Sequence, residues 1–240
     1  MTEQTGSIVE GVSTGTTLMR MDLHEARVLQ TQLVAARQAG VCGDMVLICE
    51  HPPVMTCGKR TSEAEEAAVR STVDVPVVCV DRGGRVTYHG PGQVMLYPVV
   101  SLRERKLGVS GFVCAFLSAI GSYLKNRYSL ATEVRTDEPG LWTAERTRRK
   151  LVAVGLHIRR GGVTDHGFCL NVSPERSRFA SISPCGLEPG QITSLAEVLG
   201  PEQIGENSAN SIASELALVL QESLGIGAVF SNKSLGNLIG

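Results

Sequence analysis

The sequence lacks the features that mark several large classes of protein. Its 23 Lys and Arg residues are balanced by 24 Asp and Glu residues, and the net charge of −1 at pH 7 argues against a nucleic-acid partner. The longest apolar runs are too short to cross a bilayer, so we expect no transmembrane helix and no membrane partner. Residues 1–17 contain no Lys or Arg and no apolar run of the signal-peptide type, which predicts a cytoplasmic protein.

Cysteine pairs of the C-x-x-C type are also absent, although the chain has 7 cysteines. This absence argues against zinc ribbons and disulfide frameworks, and it predicts free thiols that are mostly small buried hydrophobes. We place Cys42 and Cys57 in loops. The histidines His51, His89 and His166 stand in no ligand-spacing motif, so we expect no metal and no cofactor. Four more cysteines lie within apolar runs: Cys49, Cys79, Cys114 and Cys169.

What the chain does contain is the composition of one globular domain. It has 240 residues, 42% of them hydrophobic, and no Pro/Ser-rich linker divides it. We predict a flexible tail over residues 1–17, a single domain over 18–225 and a frayed tail over 226–240.

Local patterns predict three long helices and several strands. Asp22 and Glu25 form a capping box that opens an amphipathic helix ending near Gly40. Apolar residues at helical spacing predict a second helix over 110–126 and a C-terminal one that is capped by Gly225. We therefore predict an α+β fold with a mixed, mainly antiparallel sheet and helices packed on it. Short β-rich runs predict the strands, at 45–49, 75–80, 94–100, 151–158 and 166–172.

The segment Asp81–Gln93 is a glycine-rich loop between two apolar runs. Glycines let backbone N–H groups approach a ligand closely, and the Arg and His side chains would suit a carboxyl, carbonyl or phosphate oxygen. A tight hairpin between strands would have the same composition. Pro98 shifts the strand that leaves this loop toward an edge or a bulge.

Cys185 stands at a turn between Pro184 and Gly186, unlike the cysteines in apolar runs. A thiol attacks only as the thiolate, so a nucleophilic Cys185 would need a base or a cation nearby. His89 and His166 are candidates for that role, and Lys150 is the stronger candidate. It opens a strand after several arginines, where burial and neighbouring cations would lower the pKa of its amine. A solvated lysine at a strand end is the alternative.

Five motifs together resemble the lipoyl(octanoyl) transferase family of lipoate biosynthesis. The loop 82–93 reads Arg-Gly-Gly-x-x-Thr-Tyr-His-Gly-Pro-Gly-Gln, and 50–58 reads Glu-His-Pro-Pro-x-x-Thr-x-Gly. Lys-x-x-x-x-Gly is present at 150–155, His-Gly-x-x-x-Asn at 166–171, and Pro-Cys-Gly at 184–186. The resemblance covers roughly residues 45–200. It implies a biotin/lipoyl protein ligase-like fold, and it makes the domain over 18–225 catalytic.

The resemblance also implies the chemistry. Cys185 and Lys150 would form a catalytic dyad that takes an octanoyl group from acyl carrier protein as a thioester and passes it to a lysine of a lipoyl domain. The acceptors would be lipoyl domains of 2-oxoacid dehydrogenase E2 subunits and the glycine cleavage H protein, and the enzyme would be a monomer needing neither ATP nor metal. The implied substrate-binding residues are Arg82, Gly83, Gly84, Arg85, Val86, Thr87, Tyr88, His89, Ala153, Val154, Gly155, Gly167, Phe168 and Cys169.

Two other functions remain open from the sequence. An ATP-dependent lipoate ligase would share the fold, although it would need no Pro-Cys-Gly motif, and a non-catalytic module could retain only acyl or carrier recognition. Met55, Cys57 and Cys169 depart from the residues usual in the family, which bears on acyl-chain length. Basic residues could steer an acidic carrier protein if they share a face: Arg103, Arg105, Lys106, Arg146, Arg148, Arg149, Arg159 and Arg160.

Overall fold

The computed structural model describes residues 18–180, 182, 187, 189–205 and 208–230. The helices are α1 (Leu23–Gln38), α2 (Glu63–Thr72), α3 (Val109–Tyr128), α4 (Ser177–Ala180), α5 (Leu195–Leu199), α6 (Pro201–Ile204) and α7 (Ser208–Leu224). The strands are β1 (Met45–Cys49), β2 (Val54–Cys57), β3 (Val77–Cys79), β4 (Thr87–His89), β5 (Gln93–Val99), β6 (Thr132–Arg135), β7 (Gly140–Thr143), β8 (Lys150–Ile158), β9 (Thr164–Asn171) and β10 (Gly227–Val229).

A seven-stranded sheet forms the centre of the domain, in the order β10-β1-β5-β9-β8-β7-β6. Every neighbouring pair is antiparallel except β1 and β10. The long helices α3 and α7 contribute to the main hydrophobic core together with residues of this sheet. Phe116 of α3 stacks on Phe168 of β9, with ring centroids 4.3 Å apart. The predicted α+β fold with a mainly antiparallel sheet is confirmed.

A second apolar cluster joins α1 to residues of the central strands β1, β5 and β9. A three-stranded sheet, in the order β3-β2-β4, has its own cluster, which includes Tyr88 and Phe179. The glycine-rich loop begins after β3 of this small sheet, and it continues through β4 to the start of β5. It therefore supplies one wall of the cleft described below.

The helix boundaries follow local sequence signals. Asp22 caps α1, since its carboxylate accepts a hydrogen bond of 2.8 Å from the Glu25 N–H. Gly225 follows α7 in the left-handed region, at φ +61°, as its predicted capping role requires. In α3, most of the apolar residues at helical spacing are buried, among them Phe116 and Leu124, while Val113 is half-buried.

The effect predicted for Pro98, an edge or a bulge near the end of the strand, is present in part. β5 lies between β1 and β9, but its pairing with β9 stops at Leu96, and Pro98 pairs with Val46 of β1. Two predictions were wrong. The C-terminal tail is not frayed from 226, because Gly227–Val229 pairs in parallel with β1 and buries Val229. Cys57 lies in β2 rather than in a loop. In the part of the chain that the structure describes, no helix is long and apolar enough to cross a membrane.

Candidate active site

A mostly apolar cleft lies between the small sheet and the face of the large sheet that α1 covers. Leu23 reaches it from α1, and Thr56, Val80, Thr87 and His89 line it from the small sheet and its loops. Arg82 lines it from the glycine-rich loop. The large sheet supplies the other lining residues: Met95 and Tyr97 from β5, Ala153, Val154 and Gly155 from β8, and His166, Gly167, Phe168 and Cys169 from β9. A cleft with this lining suits an apolar chain better than a charged ligand.

Nine of the predicted substrate-binding residues line this cleft: Arg82, Thr87, His89, Ala153, Val154, Gly155, Gly167, Phe168 and Cys169. The other five do not line it. Val86 and Tyr88 are buried in the cluster of the small sheet, and the Tyr88 ring packs edge-on against Phe179. Arg85 pairs with Glu65 on the surface, 3.1 Å apart. Two glycines complete the loop, Gly83 and Gly84.

Arg82 holds the glycine-rich loop in place. Its guanidinium is buried and donates hydrogen bonds to the Thr56 carbonyl and hydroxyl, both at 2.8 Å, and to the carbonyls of Gly83 and Arg85, at 2.9 and 2.8 Å. The Arg82 side chain crosses β8 at Gly155, where an added Cβ would lie 2.9 Å from Arg82 Cδ. The glycine at 155 therefore makes room for the arginine that shapes the loop.

The second cleft glycine is required by close strand packing. A Cβ on Gly167 would lie 2.1 Å from the Leu96 carbonyl oxygen and 2.6 Å from Pro98 Cδ. His166, the residue before it, has φ +55°, which is unusual for a residue with a side chain. β9 is thus distorted at the point where it meets the cleft.

His166 and Asp81 connect the glycine-rich loop to the hairpin of β8 and β9. His166 Nε2 lies 2.8 Å from Asp81 Oδ1, and Arg159 approaches the other carboxylate oxygen at 3.3 Å. Burial acts to raise the pKa of Asp81, but the hydrogen bond and charge of His166 and the charge of Arg159 outweigh it and bring that pKa to about 2. Asp81 therefore remains an anion near neutral pH.

His89 is buried in the cleft wall, and its Nδ1 has no hydrogen-bond partner among the described residues. Burial lowers the pKa of His89 well below its usual range, and the nearby Arg82 adds to this effect. The pKa values of His51 and His166 are also lowered by burial. His51 uses both of its nitrogens, with Nδ1 2.6 Å from the Met21 carbonyl and Nε2 2.7 Å from the Tyr97 hydroxyl.

The buried histidines predict that the fold loses stability in mild acid. Below about pH 6.5 the unfolded chain protonates its histidines while the native protein keeps His89 neutral. The free energy of unfolding should then fall by up to about 1.4 kcal/mol per pH unit for each such histidine. The free energy of unfolding, measured with urea at several pH values between about pH 7 and about pH 5, should change less steeply with pH in His89→Asn than in wild type. The difference should correspond to at most about one proton taken up on unfolding. His24→Asn, on the exposed side of α1, should keep the wild-type slope, and an unchanged slope in His89→Asn would contradict this account.

Lys150 is buried at the start of β8, with only 5% of its surface exposed. Its Nζ lies over the Trp142 ring, 4.8 Å from the centroid. β7 is irregular in its pairing with β8 between Leu141 and Trp142, and such bulges are common beside active sites. The alternative interpretation of Lys150 as a solvated lysine at a strand end is therefore wrong. The arginines before it are drawn into ion pairs, Arg148 with Glu133 and Arg149 with Glu145.

A chain of buried amides connects Lys150 to the glycine-rich loop, and the sequence analysis missed it. Gln93 accepts from the Gly90 N–H and donates to Asn171, at 2.9 and 2.8 Å. Asn171 donates to the Thr193 carbonyl at 3.0 Å, and the Thr193 N–H donates to the Lys150 carbonyl at 3.0 Å. Gln93 and Asn171 end two of the quoted motifs, so their positions were a usable signal, whereas nothing in the sequence marked Thr193.

Cys185 lies outside the described residues. On its two sides, the described Ile182 is buried in the cluster of the small sheet and Ile192 pairs with Lys150. The basic residues next to β8 fall into two groups at its opposite ends. Arg148 and Arg149 precede its first residue, while Arg159 and Arg160 follow its last. Strand geometry separates the two ends of a nine-residue strand by about 26 Å.

Relatives of known function match most of the chain. The family described as lipoyl protein ligase A/B catalytic domain matches residues 22–217. An octanoyltransferase of Alkaliphilus metalliredigens is 36% identical over 186 residues, which cover 76% of this chain and 84% of the relative. One of Shewanella pealeana is 34% identical over 192 residues, covering 80% and 82%. The family match spans the cleft and the strand that carries Lys150.

Solved structures share the fold at low sequence identity. LipL1 of P. falciparum, in complex with lipoate, superposes with a TM-score of 0.64 at 11% identity, covering 92% of this chain and 67% of that one. A bi-partite lipoate protein ligase from Thermoplasma acidophilum gives 0.57 at 11% identity, covering 92% and 89%. The fold is therefore that of the lipoate protein ligases. The chain belongs to the lipoyl protein ligase A/B catalytic-domain family, among its octanoyltransferases, and is a transferase enzyme.

Proposed function

We propose that this enzyme moves an octanoyl group from octanoyl-acyl carrier protein to the specific lysine of lipoyl domains, through a thioester on Cys185. The observation that supports it most directly is the double role of β8. This strand carries the buried Lys150 at its start and the cleft-lining residues Ala153, Val154 and Gly155 a few residues on. A proton-transferring amine and an apolar cleft thus share one rigid element.

The chemistry proceeds in two transfers. The Cys185 thiolate attacks the thioester carbonyl of the donor, the carbon–sulfur bond to the carrier breaks, and the carrier thiol leaves with a proton from Lys150. The amine of the acceptor lysine then attacks the acyl-enzyme, Cys185 leaves as the thiolate, and Lys150 takes the proton from the amine. The conversion of a thioester into an amide is downhill, so neither transfer needs ATP or a metal ion.

The cleft explains how the acyl chain would be held. Met95, Ala153 and Cys169 offer apolar surface to the chain. The guanidinium of Arg82 already donates hydrogen bonds to Thr56 of β2 and to the loop carbonyls of Gly83 and Arg85. We therefore assign Arg82 to shaping the loop, and backbone N–H groups of the cleft-lining segments to binding the carbonyl oxygen.

A nucleotide-free assay tests the proposed function. Octanoyl-acyl carrier protein and an apo lipoyl domain should give the octanoylated domain when no nucleotide is present, with mass spectrometry of the acceptor as the readout. Free octanoate with ATP should give none. The opposite pattern would identify a ligase, and binding of the donor without any transfer would identify a non-catalytic module. Either result would overturn the proposal.

A further inference from the structure

Two cysteines and a glutamate that the transfer does not use meet at one end of the small sheet. Cys57 ends β2 and Cys79 ends β3, and the two are paired residues of neighbouring parallel strands. Glu66 reaches them from α2, the helix between these strands in the chain. The two sulfur atoms and a carboxylate oxygen all lie within 4.8 Å of one another.

The surroundings leave room for a bound ion. Cys57 is 2% exposed, while Cys79 is an exposed residue, so the cluster opens to solvent on one side. Arg70 lies between the groups, with Nη2 3.9 Å from the Cys79 sulfur and 2.8 Å from the Glu66 carboxylate. Its side chain is 48% exposed and can turn into solvent without disturbing the core. An incoming cation would displace that guanidinium.

We propose that Cys57, Cys79 and Glu66 form a structural Zn²⁺ site with a water molecule as the fourth ligand. Two thiolates select zinc over the hard ions magnesium and calcium. Zinc–sulfur bonds of about 2.3 Å in a tetrahedron place two thiolates about 3.8 Å apart, so the cluster needs to contract by only about 1 Å or less. Binding releases the two thiol protons to solvent.

This cluster fits an ion better than the other one in the described chain. Asp81, His157 and Asp165 also lie within reach of a common ion. That group has no thiolate, and Arg159 binds both of its carboxylates, at 3.3 Å to Asp81 and 2.5 Å to Asp165. Arg70 binds one carboxylate and is the more exposed arginine, at 48% against 36%. A disulfide between Cys57 and Cys79 would not account for the carboxylate of Glu66 beside them, whereas a zinc ion would bind all three groups.

The site would stabilise a wall of the cleft. The carbonyl of Cys57 accepts a hydrogen bond from the N–H of Val80, a cleft residue, and Thr56 holds the buried Arg82. Zinc would tie α2 to both strands at this point. We therefore assign the zinc ion a structural role, which is to stabilise the small sheet and the glycine-rich loop. It takes no part in the transfer itself.

Zinc binding to the reduced full-length chain provides the test. Metal-free protein carrying Cys185→Ser, which removes the proposed nucleophile as a ligand, should take up one equivalent of Zn²⁺ in competition with a colorimetric chelator. Cobalt substituted for zinc should give a thiolate charge-transfer band. Cys57→Ala and Cys79→Ser should each abolish that uptake, and Glu66→Gln should weaken it at least about tenfold.

Matched variants separate this site from adventitious binding. Cys114→Ser, on α3, should bind zinc as before. Arg70→Gln should tighten binding about two- to fivefold, because it removes a nearby positive charge. Since Cys57 is buried, thermal melting should first show that each metal-free variant is folded. Failure to take up zinc, uptake that survives in both folded variants Cys57→Ala and Cys79→Ser, or loss of uptake in Cys114→Ser would overturn the proposal.

Discussion

Replacing Lys150 by alanine is expected to slow octanoyl transfer by about 10²- to 10⁴-fold, the range that a positioned general acid or base contributes. The amine is buried against Trp142 at the start of β8, so solvent cannot easily replace it as the proton carrier. Single-turnover transfer from octanoyl-acyl carrier protein to an apo lipoyl domain gives the rate directly.

Two further variants distinguish proton transfer from charge alone. Lys150→Arg keeps a positive charge but does not release its proton near neutral pH, so it should be nearly as slow as the alanine variant. Arg149→Ala removes the neighbouring cation, which pairs with Glu145 and Glu197, and should keep the rate within about threefold of wild type.

The pH dependence of thiol alkylation provides a readout that a merely structural lysine would not change. Iodoacetamide reacts with thiolates, so the rate of modification at Cys185 reports how readily that thiol ionises. In Lys150→Ala the modification should need a higher pH than in wild type, with the protein still folded. An unchanged profile together with wild-type transfer would contradict the role assigned to Lys150.

The sequence was a good guide wherever the signal was local. The Asp22 cap, the glycine after α7 and the apolar run of β1 each depend on residues close in the chain, and all three are present in the structure. Pro98 marks the place where the pairing with β9 stops, but the sequence could not show that β5 stays inside the sheet through its pairing with β1. β10 was missed because three residues gain stability only by pairing with β1, far away in sequence.

The site shows the same division. The motifs predicted which residues would gather, and nine of the proposed binding residues do line one cleft. What the motifs could not show is the reason for each residue type. Gly155 is needed because Arg82 lies across it, and Gln93 and Asn171 are needed because they are buried against each other. Such reasons are contacts between distant segments, and periodicity along one segment does not contain them.

Replacing Cys185 by alanine is expected to abolish both the transfer and a covalent intermediate. If the octanoyl group passes through a thioester, intact-mass spectrometry of wild-type enzyme mixed with octanoyl-acyl carrier protein alone should show one added octanoyl group. Peptide mapping should place it at Cys185, and adding the apo lipoyl domain should remove it. In Cys185→Ala no adduct should form, and transfer should fall by about 10³-fold or more, because a nucleophile and its base act as a unit.

A second thiol in the cleft makes the comparison sharp. Cys169 lines the cleft from β9 and is 5% exposed, so it is the rival nucleophile that the described residues offer. Cys169→Ala should still form the octanoyl adduct. Any change should be confined to the preference for acyl-chain length, because removing the sulfur atom leaves more space in the cleft. The buried Cys49 is a poorer rival, because burial raises the pKa of its thiol well above the usual range. An adduct that disappears in Cys169→Ala and persists in Cys185→Ala would transfer the nucleophile's role to β9.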